Sequence, residues 1–137
     1  MRFANTCDIY STVLELAGIG RATAERDGRS LVPLLGGEAV DDWPQECVTH
    51  RLSATALLCS HRMIRWNGYK YVFYASGPDE LYDLECDPWE RENLVDELEY
   101  AEVLAEGRHR LGRWMRTKGD KIFRDCCVVN GVDRASL

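Results

Sequence analysis

Leu81-Tyr-Asp-Leu-Glu-Cys-Asp-Pro-Trp-Glu-Arg-Glu-Asn-Leu94 joins a strand-like run, Glu80 to Leu84, to an Asp87-Pro88 turn and then to a helix start at Asn93-Leu94. Downstream, Asp96 followed three residues later by Glu99 forms a capping box, which marks the beginning of a helix. Tyr100, Val103, Leu104, Leu111, Trp114 and Met115 recur at helical spacing and give that helix one apolar face. Gly107 and Gly112 each weaken it by about 1 kcal/mol relative to alanine, so packing must hold it. Gly119 is a natural stop. Lys121 to Leu137 shows no period and reads as a tail with a short Ile122-Phe123 contact.

Upstream the chain is rich in strand signals. Glu46 to Leu52 and Leu57 to Trp66 read as strands, and Tyr69 to Ala75 as a returning strand. Asn67-Gly68 between the last two is the strongest short hairpin signal, because a type I′ turn needs positive φ at both central residues. The register follows from the two-residue turn. Trp66 faces Tyr69, Ile64 faces Tyr71 and Arg62 faces Phe73 on one side, which is mostly aromatic and should meet the core. Arg65 with Lys70, Met63 with Val72 and His61 with Tyr74 share the other side. Gly77-Pro78 makes the next turn.

Near the amino end, Asp8 caps a helix running to about Ala17, which Gly18 ends. Ile9, Val13, Leu16 and Ala17 fall on one face, and Tyr10 and Leu14 widen the apolar surface, so the helix wants burial over more than a narrow stripe. Leu31 to Leu35 contains Pro33 and stops at Gly36-Gly37, which allows one or two turns. Asp41 to Glu46 reads as a loop.

At 137 residues the chain is expected to make one domain. Its parts are a linker helix and loops over 1–45, a sheet plus helix over 46–120, and the tail over 121–137. The net charge of -6 argues against phosphate-driven nucleic-acid binding. No apolar run approaches the ~20 residues of a membrane span. Met1-Arg2-Phe3-Ala4-Asn5-Thr6 lacks the apolar core of a secretory signal, which places the chain in the cytoplasm if it is made as it stands. From Cys47 to Pro78 there is no acid, and Arg51, Arg62, Arg65 and Lys70 accumulate; from Asp79 to Glu106 there are twelve acids and one base, Arg91. The plain reading is a solvated acidic helix surface; the sharper one is that the basic middle faces an anion or an acidic partner. Six cysteines, at 7, 47, 59, 86, 126 and 127, form no C-x-x-C pair, which disfavours a zinc site of ordinary spacing. They are expected as reduced thiols, with Cys47 and Cys59 as small strand residues; their even number leaves disulfides open in an exported protein.

The closing segment resembles that of the sulfatase family, on Leu81, Tyr82, Asp83, Leu84, Asp87, Pro88, Glu90, Asn93 and Leu94. Three further blocks agree, in family order and at family-like spacing. Asp8-Ile-Tyr-Ser-Thr-Val-Leu-Glu-Leu-Ala-Gly-Ile19 is similar to D-x-x-P-T-x-x-x-x-A-G-I, with Ser11 where proline is usual. Asp27-Gly-Arg-Ser-Leu-Val-Pro-Leu-Leu-Gly-Gly-Glu38 is similar to D-G-x-S-L-x-P-L-L-x-G. Arg62-Met-Ile-Arg-Trp-Asn-Gly-Tyr-Lys-Tyr-Val-Phe-Tyr74 is similar to R-x-I-R-x-x-x-Y-K-Y. Together they cover about Cys7 to Asp120. The resemblance implies a sulfatase C-terminal subdomain of class α+β: a small antiparallel sheet of about four strands packed by a long C-terminal helix, with the N-terminal linker helix that joins it to the main domain.

The resemblance also says where the chemistry lies. A sulfatase uses a formylglycine made from Cys or Ser in C-x-P-x-R or S-x-P-x-R, a divalent cation (calcium) held by Asp and Asn, and a Lys and His set for sulfate and protons. These lie upstream of every block matched here, so this chain is expected to carry no catalytic residue, no metal ligand and no cofactor of its own. Cys86-Asp-Pro-Trp-Glu-Arg91 imitates the formylglycine motif, but Glu90 stands where arginine is required. Asp41-Asp42 imitates a paired metal site but reads as a solvated loop. No G-x-S-x-G, P-loop, G-x-G-x-x-G or H-E-x-x-H motif occurs. His109 lies on the acidic helix. His50, Arg51, His61 and Arg62 are ordinary sheet-surface residues on the plain reading, and on the functional one a rim that holds a sulfated substrate, since an arginine fork suits sulfate as it suits phosphate. The expected partner is the missing catalytic domain, with self-association through the 8–17 helix as the rival. A stand-alone interaction module, or an anion-binding module using Arg51, Arg62 and Arg65, is the alternative function.

Overall fold

The computed structural model describes residues 2–19, 27–51 and 60–120. The chain divides into two compact units, Met1–Cys47 and Val48–Leu137.

The first unit carries α1 (Thr6–Leu16) and the single turn α2 (Val32–Leu35). The α1 helix begins two residues before Asp8. Asn5 stands at the cap, and Asp8 at the third helical position accepts the Asn5 backbone N–H on Oδ2 (2.7 Å). The cap expected of Asp8 is therefore the reciprocal half of a capping box. Its other oxygen, Oδ1, accepts the Arg29 N–H at 2.8 Å, which ties the following loop to the helix start. Gly18, at φ 67°, ends α1 in a Schellman turn, with Ile19 N donating to Leu14 O and Gly18 N to Glu15 O.

A four-stranded antiparallel sheet in the order β1-β2-β3-β4 comprises β1 (Glu46–Arg51), which begins at the end of the first unit, and β2 (His61–Trp66), β3 (Tyr69–Tyr74) and β4 (Glu80–Asp83) of the second. The β2–β3 pairs are those the Asn67-Gly68 turn dictates: Trp66 with Tyr69, Ile64 with Tyr71, Arg62 with Phe73. Asn67 and Gly68 have φ of 43° and 84°. The expected strand residues 57–59 and Leu52, three of the cysteines (59, 126 and 127), the Ile122-Phe123 contact and the whole 121–137 tail lie outside the described residues.

The long helix, α3 (Ala101–Thr117), is preceded by a 3-10 turn at Leu98–Tyr100. It starts later than the Asp96/Glu99 reading predicts, and no side chain caps it. The reason is local. Leu94 N donates back to Leu81 O (2.8 Å), and Glu97 N and Tyr100 N then close successive turns on Leu94 O and Glu97 O. Residues 94–97 are thus tied to β4, and helical geometry begins only beyond them. The core between sheet and helix consists of Ile64, Trp66, Tyr71, Phe73, Ala75 and Leu81 against Leu111 and Met115. Gly107 lets the helix approach. A Cβ there would meet Trp66 Cη2 at 2.5 Å and Tyr71 Cβ at 3.1 Å.

Candidate functional site

The closing segment, Leu81 to Leu94, holds the least accidental ordering of residue types in the chain. Asp83 Oδ1 accepts the N–H groups of Glu85 (2.9 Å) and Cys86 (3.2 Å), turning the chain out of β4. Asp87 Oδ2 accepts those of Arg91 (2.5 Å) and Glu92 (2.9 Å). Those backbone donors, Glu92 first, hold the Asp87 carboxyl below its ordinary range. Asn93 Oδ1 accepts from Leu81 N (3.0 Å) and Val95 N (3.1 Å), while its Nδ2 donates to Asp79 O (3.1 Å). Glu90 adopts a positive φ of 54° and pairs with Lys70. Asp83, Asp87 and Asn93 satisfy backbone groups and Glu90 pairs with a neighbouring charge, so the segment is a folding device that carries the chain from β4 towards α3.

The same holds for the nucleophile lookalike. Cys86 is an exposed free thiol beside Asp83, whose charge and hydrogen bond raise its pKa and disfavour the thiolate. Cys7 is also a free thiol, and the buried Cys47 thiol donates to Asn5 Oδ1 at 3.0 Å. Asp41 and Asp42 are exposed, and Asp42 is engaged by Arg29, whose Nη1 lies 2.9 Å from its carbonyl and 3.2 Å from Oδ2. Among the described residues no three His, Cys, Asp or Glu side chains come together to hold an ion. These residues do not fit a formylglycine or calcium centre.

The four residues expected as a substrate rim separate. Arg62 is interior, with 4 % of its side chain exposed. Its Nε and Nη2 fork onto both Asp120 oxygens (2.6 and 3.0 Å), and Nη1 donates to the carbonyls of Arg51 (3.0 Å) and His61 (2.9 Å). Asp120 is delivered by the Gly119 stop: Gly119 N donates to Arg116 O and Asp120 N to Met115 O, a second Schellman turn. Arg62 therefore locks the end of α3 to the strands, and its fork is already filled by a carboxylate. Arg51 and His50 are exposed. The His50 ring lies 6.1 Å from that of Trp114 on α3, whereas His61 lies 5.4 Å from Tyr74, on the sheet side away from Arg62. Burial, then Arg51 and Arg62, push the His61 pKa down and favour its neutral form. His109 is exposed.

One polar cluster has no counterpart in the sequence reading. Asp79, 7 % exposed, accepts Tyr71 Oη at 2.7 Å and Arg108 Nη2 at 3.2 Å on Oδ2. Burial, followed by the Asp79 charge, raises the Tyr71 pKa and keeps its hydroxyl protonated. The cluster joins the β3–β4 turn to the middle of α3. The one local signal was a carboxylate directly after Gly77-Pro78, which also describes any solvated turn.

A small four-stranded antiparallel sheet packed by a long helix, with Asp83, Asp87 and Asn93 of its closing segment engaged by backbone groups, is the architecture of an accessory subdomain. Residues 2–117 match the family model for the C-terminal region of N-sulphoglucosamine sulphohydrolase, and the chain belongs to that family of sulfatase C-terminal domains. It is 37 % identical over 125 residues to a Δ4,5-hexuronate-2-O-sulfatase of Bacteroides thetaiotaomicron, covering 84 % of this chain and 24 % of the relative. Among solved structures it is similar to a 2-O GAG sulfatase (TM-score 0.72, 36 % identity, 82 % of this chain and 25 % of that one). It is also similar to a phosphonate monoester hydrolase of Agrobacterium radiobacter (TM-score 0.70, 27 % identity, 85 % of this chain and 25 % of that one). The chain spans about a quarter of the length of curated relatives that it matches. Among the described residues no helix is long and apolar enough to cross a membrane.

Proposed function

We propose that this chain serves as the C-terminal subdomain of a sulfuric ester hydrolase, completing the fold and bordering the substrate cleft of a larger catalytic body, without catalysing hydrolysis by itself. The carrying observation is the closing segment, in which Asp83, Asp87 and Asn93 are all occupied with backbone groups. The formylglycine and the divalent cation, calcium in the family's usual form, then belong to the larger body. In this reading residues 1–45 link, 46–120 form the sheet-and-helix part of one domain, and 121–137 trail from it. Exposed Arg51 and His50 are the members of the expected rim left to meet a sulfated substrate; Arg62 supports them from below through the Arg51 carbonyl. The test is an aryl sulfate assay on the purified chain with and without calcium. No turnover is expected. Metal-dependent hydrolysis that survives contaminant controls overturns the proposal.

A second reading is favoured by one observation, the solvent-facing apolar side of α1, where Ile9, Tyr10, Val13 and Leu16 are each more than half exposed. On that reading the chain is a stand-alone module that pairs with another copy through residues 8–17. Size-exclusion chromatography with light scattering over a range of concentrations separates the two, because a strict monomer at high concentration removes the second.

A further inference from the structure

Arg62 and Arg65 lie three residues apart on β2, so they face opposite sides of the sheet. Arg62 is closed by Asp120. Arg65 is half-buried and its Nε–H is shielded from solvent, yet no hydrogen bond or ion pair reaches its side chain among the described residues. Arg108 also has a shielded Nε–H, but Asp79 Oδ2 lies 3.2 Å from its Nη2. An arginine wholly in water needs no protein partner, because water serves its five donors; a shielded donor forfeits that hydration. Lys70 stands directly across the ribbon from Arg65. Like charges opposite each other weaken a sheet. Lys70 is relieved on its far side, where Nζ pairs with Glu90 and lies 5.6 Å from the centre of the Tyr82 ring. Glu90 reaches it from a left-handed φ of 54°, which residues other than glycine rarely adopt. Glu80, on the same side of the sheet, accepts from the hydroxyls of Tyr74 and Tyr82. Neither acid is bonded to Arg65.

We infer that Arg65, flanked by Lys70, is a binding site for an oxyanion group with one negative charge and two acceptor oxygens, the chemistry shared by a sulfate ester and a carboxylate. One edge of the guanidinium offers Nε–H and Nη–H as parallel donors, and such a group fills both at once. The shielded Nε–H is the reason a fork is needed: a ligand with a single acceptor would leave it, or its neighbour, unmet. Lys70 adds positive potential from the adjacent strand without entering the fork, since Glu90 holds its ammonium. The sequence reading grouped Arg65 with Arg51 and Arg62 as an anion site; the sheet instead joins it to Lys70, on the side away from Arg62. The inference does not rest on the function proposed above, and its failure leaves that function standing.

The experiment follows arginine Nε–H and backbone N–H signals of the isotope-labelled full chain by NMR while methyl sulfate or acetate replaces chloride at constant ionic strength. The Arg65 Nε–H signal, identified by its loss in Arg65→Lys, is expected to shift and saturate, and the backbone N–H signals of Arg65 and Lys70 to follow the same curve; the Arg62 Nε–H signal stays in place. Arg65→Lys keeps the charge and loses the fork, so the Kd read from the backbone signals should rise about tenfold. Lys70→Gln removes the flanking charge and should weaken binding while the Arg65 signal remains. Circular dichroism checks that both variants are folded, and the saturating shift in the parent chain tests the site without either. Tighter methyl sulfate supports the site with a sulfate ester as its ligand, and tighter acetate supports it with a carboxylate. A shift that grows linearly without saturating, one shared equally by the exposed Arg51 and Arg113, or an affinity unchanged in Arg65→Lys overturns the assignment.

Discussion

Replacing Gly107 by alanine separates packing from helix propensity, because the two predict opposite signs. In a solvated helix the change stabilises by about 1 kcal/mol. Here the added methyl would sit 2.5 Å from Trp66 Cη2, 3.1 Å from Tyr71 Cβ and 3.2 Å from Trp66 Cζ3. Trp66 and Tyr71 are fully buried among Leu111, Met115 and Leu81, and the Tyr71 Cβ is fixed to its strand, so neither neighbour can yield freely. Inserting a methylene-sized group into a packed core costs typically 1–3 kcal/mol, and these contacts belong at the upper end, about 3 kcal/mol. Subtracting the propensity gain leaves a net loss of about 2 kcal/mol. At roughly 4 °C per kcal/mol for a domain of this size, the melting midpoint should fall by about 8 °C. Urea unfolding followed by circular dichroism should show a lower midpoint at unchanged slope. Ala105→Gly on the exposed side of α3 serves as the propensity control and should cost about 1 kcal/mol. A Gly107→Ala protein more stable than the parent would refute the close approach of helix and sheet.

Three further outcomes are expected. Arg62→Ala leaves the Asp120 carboxylate, 8 % exposed, without its fork, and should cost about 3–5 kcal/mol in urea unfolding, whereas exposed Arg51→Ala should stay within about 0.5 kcal/mol of the parent; equal effects would contradict the assignment of Arg62 to the interior. Asn93→Ala orphans the N–H groups of Leu81 and Val95 and should cost about 1–2 kcal/mol, while a neutral substitution would mean that the β4 bridge is unimportant. Because the folded-state pKa of Asp87 lies below its ordinary value, its bonds contribute stability above the usual carboxylate range that disappears as pH falls through the lowered pKa. Asp87→Asn should therefore flatten the acid limb of stability against pH, and an unchanged limb would show that the turn does not use the charge.

What was legible in the sequence was local. The hairpin register followed from Asn67-Gly68, since a two-residue turn leaves one alignment of the flanking strands. The helix stops at Gly18 and Gly119 followed from the left-handed backbone that glycine permits. The closing motif was recognisable because Asp83 and Asp87 each work within five residues of themselves. What was hidden was long-range. Arg62 meets Asp120 across 58 residues and Arg108 meets Asp79 across 29, and no period or motif announces such pairs. An arginine between strand residues reads the same whether it holds an external anion or an internal carboxylate; only burial distinguishes them. The apolar side of α1 was readable as a demand for cover. That the helix satisfies its polar side inward, through Asp8 and Thr12, required coordinates.

The central claim, that this domain belongs to a larger hydrolase whose reactive centre lies elsewhere, is tested most directly by sequencing the genomic DNA adjoining the Met1 codon and assaying its product. The account predicts a continuous reading frame encoding C-x-P-S-R and paired aspartates, with metal-dependent sulfate-ester hydrolysis by the joined protein. A stop codon immediately before Met1, together with sulfate-ester turnover by the 137 residues alone, would contradict it.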